Sequence, residues 1–345
     1  MRAMVLCAGR GDRLRPLTLR WPKPALPLLG APLLRYALGL LARAGLHEVV
    51  VNTHHLAPLM EATARAEATR AGAALWVVEE REALQGAGGG IRGARAHLEG
   101  GDFVVLNGDV LFAVDLEPVL EAHRRRGAAA TMVLLPMPAG ERFPAVELDG
   151  QDRVRRIAGH GPGGPGLSPW HFTGLHVITP RVFDFMPPEG AVDINHHVYP
   201  RLLEAGLEVY GHRLEDPAAS WFDLGTPGRY ARAHRALLLG QVPTGRFGAA
   251  DPFLEMDQPE PGVWVARGAA PGAFRARGPA WVGPGAVVEP GVVLGEAVSV
   301  GPGAAVRRGA RLERVAVLDG AEVPREERLE DALVAPGGVV VSTRD

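Results

Sequence analysis

Seven aliphatic residues spaced six apart restrict what the C-terminal part of this 345-residue chain can fold into: Val282, Val288, Leu294, Val300, Val306, Leu312 and Leu318. Four residues after each of the first six stands a small or β-branched side chain, namely Ala286, Val292, Val298, Ala304, Ala310 and Ala316. Gly283, Gly295 and Gly301 follow the aliphatic position directly, and Pro-Gly pairs fall at 284–285, 290–291 and 302–303. A disordered Gly/Pro-rich tail would explain the composition but not the register. A six-residue period predicts three short strands per coil, each pointing an aliphatic side chain into a prism-shaped core.

From about Pro261 to Leu333 the pattern resembles the left-handed parallel β-helix of hexapeptide-repeat proteins. Its first turn is irregular, and Pro324–Glu330 interrupts it as an expected end cap. Upstream, strand-like runs at Ala3–Leu6, Glu48–Asn52, Leu75–Val78, Phe103–Leu106 and Thr131–Leu135 alternate with helical patterns. The helical patterns lie at Leu33–Ala44, Leu56–Ala71, Ile91–His97 and Leu116–Arg126. Such alternation predicts an α/β domain with a doubly wound, mainly parallel, Rossmann-like sheet. Ligands of such sheets bind beyond the carboxyl ends of the strands. At ~150 residues per domain the length allows roughly two domains. The expected division is 1–240 for the α/β domain, a Pro-, Gly- and acid-rich linker at 241–260, and the β-helix at 261–345.

Charge and cysteine content narrow the function classes. Thirty-seven Lys and Arg against 39 Asp and Glu leave a net charge of −2, which gives no overall basic surface for nucleic acid. Cys7 is the only cysteine, so neither an intramolecular disulfide nor a cysteine-based zinc site is available. The most apolar helical stretch, Leu33–Leu46, carries Arg35 and Arg43, and no signal-peptide pattern opens the sequence. A cytoplasmic protein with no membrane partner is expected.

The segment Leu6-Cys7-Ala8-Gly9-Arg10-Gly11-Asp12-Arg13 follows directly from the first strand-like run. Gly9 and Gly11 allow a tight turn that brings N–H groups close to phosphate oxygens. Arg13, and with it Arg15, can add planar charged contacts to the same oxygens. Lys23 is framed by Pro22 and Pro24, which stiffen the loop that presents it. A Gly-x-Gly alone is equally a plain turn. This one is neither a Walker loop, lacking the Gly-Lys-Ser/Thr ending, nor a dinucleotide fingerprint, since Leu14 stands where glycine is required.

Taken whole, the string of glycine-rich loop, Arg13, Pro16-Leu17-Thr18 and Pro22-Lys23-Pro24 resembles the signature of sugar-1-phosphate nucleotidyltransferases. Four further segments resemble that family's motifs in order. They are Glu79–Ile91 with its glycine run, Asn107-Gly108-Asp109, Phe172-Thr173-Gly174, and Trp221–Pro227 around Asp223. The resemblance implies attack of a sugar 1-phosphate oxygen on the α-phosphorus of an NTP, with pyrophosphate leaving. Arg13, Lys23 and Asp109 are the catalytic residues it implies. Leu6, Ala8, Gly9, Gly11, Asp12, Arg13, Gln85, Gly86 and Gly108 would line the nucleotide. Thr173, Gly174, Arg155 and Arg156 would face the sugar phosphate, and Asp109 with Asp223 would hold Mg²⁺. Two anions must meet, so charge neutralisation is the main task. No general base is needed, because a sugar phosphate is already ionised.

Departures from the family bear on the substrate. The lysine that usually grips the sugar phosphate is missing; Arg155-Arg156-Ile157-Ala158-Gly159-His160 stands in that region. Asp12 and Gly88–Gly90 are similar to N-acetylmuramate-1-phosphate uridylyltransferases, whereas a β-helix is common in mannose-1-phosphate guanylyltransferases. GTP with mannose 1-phosphate is the preferred expectation. Uridylyl transfer to a hexose or amino-sugar phosphate, and a non-catalytic nucleotide-sugar sensor, are the alternatives. Acyl transfer by the β-helix is disfavoured, because the last histidine is His234. The pairs His54-His55 and His196-His197, read as adjacent strand residues, would point to opposite faces and chelate poorly. The open end coils and flat faces of a β-helix imply a homo-oligomer.

Overall fold

The computed structural model describes residues 1–138, 140, 143–267, 269–271 and 274–344. They cluster into two compact units, neither of them one continuous stretch. The first comprises Met1–Arg10, Ala37–Gly108 and Val114–Ala219; the second comprises Gly11–Tyr36, Asp109–Ala113 and Ser220–Asp345.

The first unit is built on a mixed, doubly wound sheet. Strand Arg2–Leu6 is central and pairs in parallel with Glu48–Thr53 on one side and Phe103–Asn107 on the other. Ala74–Glu79 continues the parallel part beyond Glu48–Thr53. The long strand Ser168–Ile178 runs antiparallel to Phe103–Asn107 and opens the antiparallel half. Val49–Val51, Ala3–Val5 and Val104–Val105 are fully buried, as continuous apolar runs must be when both faces of a sheet are covered. The order reverses at Arg2–Leu6, so the loops after Leu6 and after Asn107 leave neighbouring strand ends at a topological switch point. They are held together there: Gly108 donates its N–H to the Leu6 carbonyl at 2.9 Å. A Cβ at Gly108 would lie 2.7 Å from that carbonyl oxygen, which excludes any larger residue.

Helices Leu33–Arg43, Ala57–Arg70 and Glu117–Arg126 lie where the sequence pattern puts them. The Ile91–His97 pattern does not. Helix begins earlier, at Gly86, runs through the glycines to Gly93 and resumes as the short turn Arg95–Leu98. Glycine is a poor helix former, and close approach explains its use. A Cβ at Gly90 would fall 2.5 Å from Asn52 Nδ2, and one at Gly88 would fall 2.7 Å from Val192.

The second unit contains the β-helix. Its strands pair in parallel across coils, for example Val287 with Ala305 and Ala305 with Glu322, steps of 18 and 17 residues. Three columns of left-handed residues make the corners: Gly285, Gly303 and Gly320; Gly291, Gly309 and Glu326; Ala297, Arg314 and Asp331. The corners are six residues apart except between Gly309 and Arg314 and between Glu326 and Asp331, where the step is five. The missing residue reverses the facing of the strand that follows. Val282 through Leu312 fill the prism as the sequence predicts, but Ala316 and Leu318 do not. Val315 and Val317 take the interior, while Ala316 and Leu318 turn outward into a second core with helix Pro227–Leu238. Pro324–Glu330 is a corner of the last complete coil. Beyond it, Arg328–Ala335 still pairs in parallel, and the antiparallel strand Val339–Ser342 closes the stack. The acid-rich segment 241–260 includes the short helix Thr244–Ala250, whose Phe247 is fully buried against Tyr36, ring centres 5.0 Å apart.

Glu326 is exposed, with φ 57° in a column otherwise made of glycine. A left-handed L-residue costs roughly 1–2 kcal/mol, of which a glycine's extra chain entropy cancels part. Glu326→Gly is therefore expected to stabilise the stack by about 1 kcal/mol. A rise in the calorimetric midpoint checks this, and a fall would show that the Glu326 side chain contributes more than its backbone costs.

Candidate active site

One short antiparallel ribbon assembles the charged centre. Val110–Ala113 pairs with Ser220–Asp223, Val110 opposite Asp223, and the Leu224 N–H donates to the Asp109 carbonyl. Two carboxylates far apart in sequence thereby reach the same ribbon end. Lys23 meets both, its Nζ 2.8 Å from Asp109 Oδ2 and 3.7 Å from Asp223 Oδ1. Its side chain is 6% exposed, so the proline-framed loop delivers a nearly buried ammonium, a burial that the Pro22/Pro24 frame alone does not announce. A buried lysine is tolerated because it is paired. Arg229 donates to Asp223 Oδ2 from the first turn of helix Pro227–Leu238, which Thr226 caps through its hydroxyl. Arg13 completes the group: a Cβ placed on Gly225 would lie 2.7 Å from the Arg13 guanidinium and 3.0 Å from both Asp223 oxygens.

Gly11 turns at φ 65°, with the Thr18 hydroxyl donating to its carbonyl. Asp12 is exposed and pairs with Arg15 at 2.8 Å, so Arg15 has a carboxylate partner within its own loop.

In the first unit a buried polar relay links the loop after the first strand to the glycine-rich helix. Cys7 donates its N–H to Asn52 Oδ1, Asn52 Nδ2 donates to Glu80 Oε1, and Glu80 Oε2 accepts the Gln85 N–H, at 2.9, 2.7 and 2.7 Å. Leu6, Ala8 and Gly9 lie at one end of this relay, Gln85 and Gly86 at the other. Asn52 reads in the sequence only as the last residue of an apolar strand, and Glu80 as one acid among several. Neither these two nor Arg229 is legible as a site residue. The available signal is a polar residue ending a buried strand.

The residues expected around the sugar phosphate are dispersed in their roles. Thr173 is 1% exposed and donates its hydroxyl to the Val133 carbonyl at a bulge of the long strand. Gly174, at φ 83°, backs directly onto the Asn107 side chain. Arg156 pairs with Glu147 at 3.1 Å, while Arg155 lies half-buried beside it on strand Val154–Ile157. His160 packs edge-on against His196. The histidine pairs are not on strands: His54 and His55 follow one in a turn, and His196 and His197 lie in a π-helical turn. Among the described residues no three His, Cys, Asp or Glu side chains gather as a metal cluster.

Paired carboxylates, a buried lysine and flanking arginines are the equipment of an enzyme that handles phosphoanhydrides. The chain belongs to the nucleotidyl transferase family, whose model matches residues 2–239. It is 33% identical over 293 residues to a mannose-1-phosphate guanylyltransferase of Mycobacterium tuberculosis, covering 85% of this chain and 77% of the relative. It is 28% identical over 306 residues to a UTP–glucose-1-phosphate uridylyltransferase of Synechocystis, covering 85% and 76%. Among solved structures it resembles a Bacillus anthracis protein assigned as a glucose-1-phosphate thymidylyltransferase. The TM-score is 0.57 at 22% identity, covering 68% of this chain and 93% of the other, and it supports the fold. Among the described residues no helix is long and apolar enough to cross a membrane.

Burial pushes the rings of His176 and His234 down to about 3. Unfolded, both titrate near 6.5, so stability is intact above that pH and declines as pH falls from about 6.5 toward 3. Each ring contributes a loss of roughly 1.4 kcal/mol per pH unit in that window. His176→Gln is expected to flatten the acid limb of the urea midpoint against pH. An unchanged slope would mean that His176 is charged in the fold.

Proposed function

We propose that the protein transfers a nucleotidyl group from an NTP to a sugar 1-phosphate, giving a nucleotide sugar and pyrophosphate, with GTP and mannose 1-phosphate as the pair. The convergence of Lys23 on Asp109 and Asp223, in a chain of this family, carries the reading. The two carboxylates fit Mg²⁺: a hard cation takes one or two carboxylate oxygens and fills its shell with phosphate oxygens and water. Their fit is visible in the point cation they already share, the Lys23 ammonium. Asp109 and Asp223 would hold the metal, which when bound neutralises phosphate charge at the reacting phosphorus.

The protein's own groups supply the rest of the reading. Arg13 and Lys23 bind and orient phosphate oxygens. The backbone from Leu6 through Gly9 and Gly11–Asp12 turns around the triphosphate, with Gly108 packed beneath its start. Gln85 and Gly86 line the base and ribose, their loop fixed by Glu80. Thr173 acts through its carbonyl-bonded hydroxyl, shaping the bulge that places Gly174, and Arg155 is the cation favoured for the sugar phosphate, since Arg156 is spent on Glu147. The higher identity to the guanylyltransferase, 33% against 28% for the uridylyltransferase, favours GTP and mannose 1-phosphate. Asp12 in the first loop and the uridylyltransferase relative favour UTP as the second reading. We further propose residues 1–240 as the transferase, 241–260 as the connection and 261–345 as the part that assembles a cytoplasmic homo-oligomer.

The test is pyrophosphate release with Mg²⁺, crossing GTP, UTP, dTTP, ATP and CTP with mannose, glucose, N-acetylglucosamine and N-acetylmuramate 1-phosphates. Turnover with GTP and mannose 1-phosphate is expected. Turnover only with UTP would select the second reading, and silence with retained nucleotide-sugar binding would make the protein a sensor. Asp109→Asn is expected to lower kcat on the order of a hundredfold or more while the circular dichroism spectrum is kept. Wild-type turnover in that variant would remove Asp109 from the metal site. Light scattering of the full chain is expected to give a multiple of 36.6 kDa; a single 36.6 kDa species would exclude the homo-oligomer.

A further inference from the structure

Arg229 is out of place by the ordinary rules of helix design. It sits in the first turn of helix Pro227–Leu238, where the helix dipole disfavours a cation, and no acidic residue of that turn offsets it. Its guanidinium is about one-fifth exposed and donates to one oxygen of Asp223, Oδ2. The other oxygen, Oδ1, faces Lys23, which also holds Asp109. Asp223 is thus a carboxylate with its two oxygens assigned to different partners. The Thr226 cap fixes the backbone from which Arg229 reaches, accepting the Arg229 N–H at 3.3 Å.

We infer that Arg229 is a positioning residue that keeps Asp223 monodentate, and that it thereby sets the preference of the site for small divalent cations over Ca²⁺. The inference rests on the proposal that Asp109 and Asp223 hold a metal. Mg²⁺ and Mn²⁺ accept single carboxylate oxygens in a compact octahedral shell, whereas Ca²⁺ takes six to eight oxygens at longer range and readily uses both oxygens of one carboxylate. With Oδ2 engaged by a guanidinium, Asp223 has only Oδ1 to give. Removing the guanidinium frees Oδ2, turns Asp223 into a bidentate ligand, and favours the larger ion. Arg229 also repels any divalent cation nearby, but that repulsion depends on charge and acts alike on ions of equal charge. The ratio of affinities therefore reports ligand geometry, and the absolute affinities report charge.

The experiment titrates the full-length protein with Mn²⁺ alone, following the free-ion EPR signal, and then displaces Mn²⁺ with Ca²⁺. Wild type, Arg229→Gln, Arg229→Lys and Asp109→Asn are compared, each with an unfolding midpoint to confirm the fold. In Arg229→Gln the ratio of Ca²⁺ to Mn²⁺ dissociation constants is expected to fall about tenfold, equivalent to about 1.4 kcal/mol. Arg229→Lys, which keeps one donor for Oδ2, is expected to retain most of the wild-type ratio. A parallel change in both constants, with the ratio unchanged in Arg229→Gln, would reduce Arg229 to a background charge and overturn the inference. Absence of Mn²⁺ binding in wild type, or full binding in Asp109→Asn, would instead remove the metal site on which the inference stands.

Discussion

A ribbon of two four-residue strands brings the charged centre of this protein together. Val110–Ala113 and Ser220–Asp223 are only four residues each, yet their register decides which side chains share a charged centre. Sliding that ladder by one residue would turn Asp223 to the opposite face of its strand and away from Lys23. What fixes the register is apolar: Leu111 and Ala113 are buried in the same core as Leu224, Tyr230 and Phe247. The polar groups follow from that packing. An unpaired ammonium at the depth of Lys23 would be costly, so the ribbon and the lysine loop are mutually required.

The second unit solves a different problem, that of stacking coils of unequal length. A prism with six-residue sides tolerates a five-residue side only if the corner absorbs the difference. Arg314 and Asp331 do so at φ 53° and 50°, where glycine would be expected. They are compensated by ion pairs: Arg314 reaches Asp331 at 2.7 Å and also pairs with Glu313 and Glu330, while Arg344 reaches Glu330 and Asp331. Exposed pairs are individually weak, but these link two guanidinium groups through the shared Glu330 and Asp331 and tie the chain after the closing strand to the coil beneath it.

Much of this architecture is legible in the sequence because burial on both faces of a sheet demands continuous apolar runs, and a prism core demands a strict period. Where reading fails, two solutions are equally apolar. Val315, Ala316, Val317 and Leu318 can satisfy either facing, so the sequence hides a one-residue shortening that only the corner at Arg314 reveals. The glycine run at Gly86–Gly90 reads as a loop because helix propensity argues against it. Its helical state depends on Val192 and Asn52, which lie close in space and far along the chain. For the same reason Lys23, Asp109 and Asp223 announce themselves through local motifs, while Asn52, Glu80 and Arg229 do not. Their partners are visible only after folding. Thr173 shows the converse: a residue within a recognisable motif whose hydroxyl serves the sheet.

Helix Pro227–Leu238 shares one core with the outward residues Ala316, Leu318, Leu333 and Ala335 of the coils. It is tied to the same stack by an Arg235–Glu296 ion pair at 2.7 Å and by the buried His234 beside Ser299. A helix so anchored does not fray on its own. Elements packed in this way open together, so its amide protons are expected to exchange with those of the coils beneath it, helix and solenoid forming one foldon. The first turn of that foldon carries the guanidinium that grips Asp223. That guanidinium thereby takes its support from strands that hold neither the lysine nor the carboxylates of the charged centre.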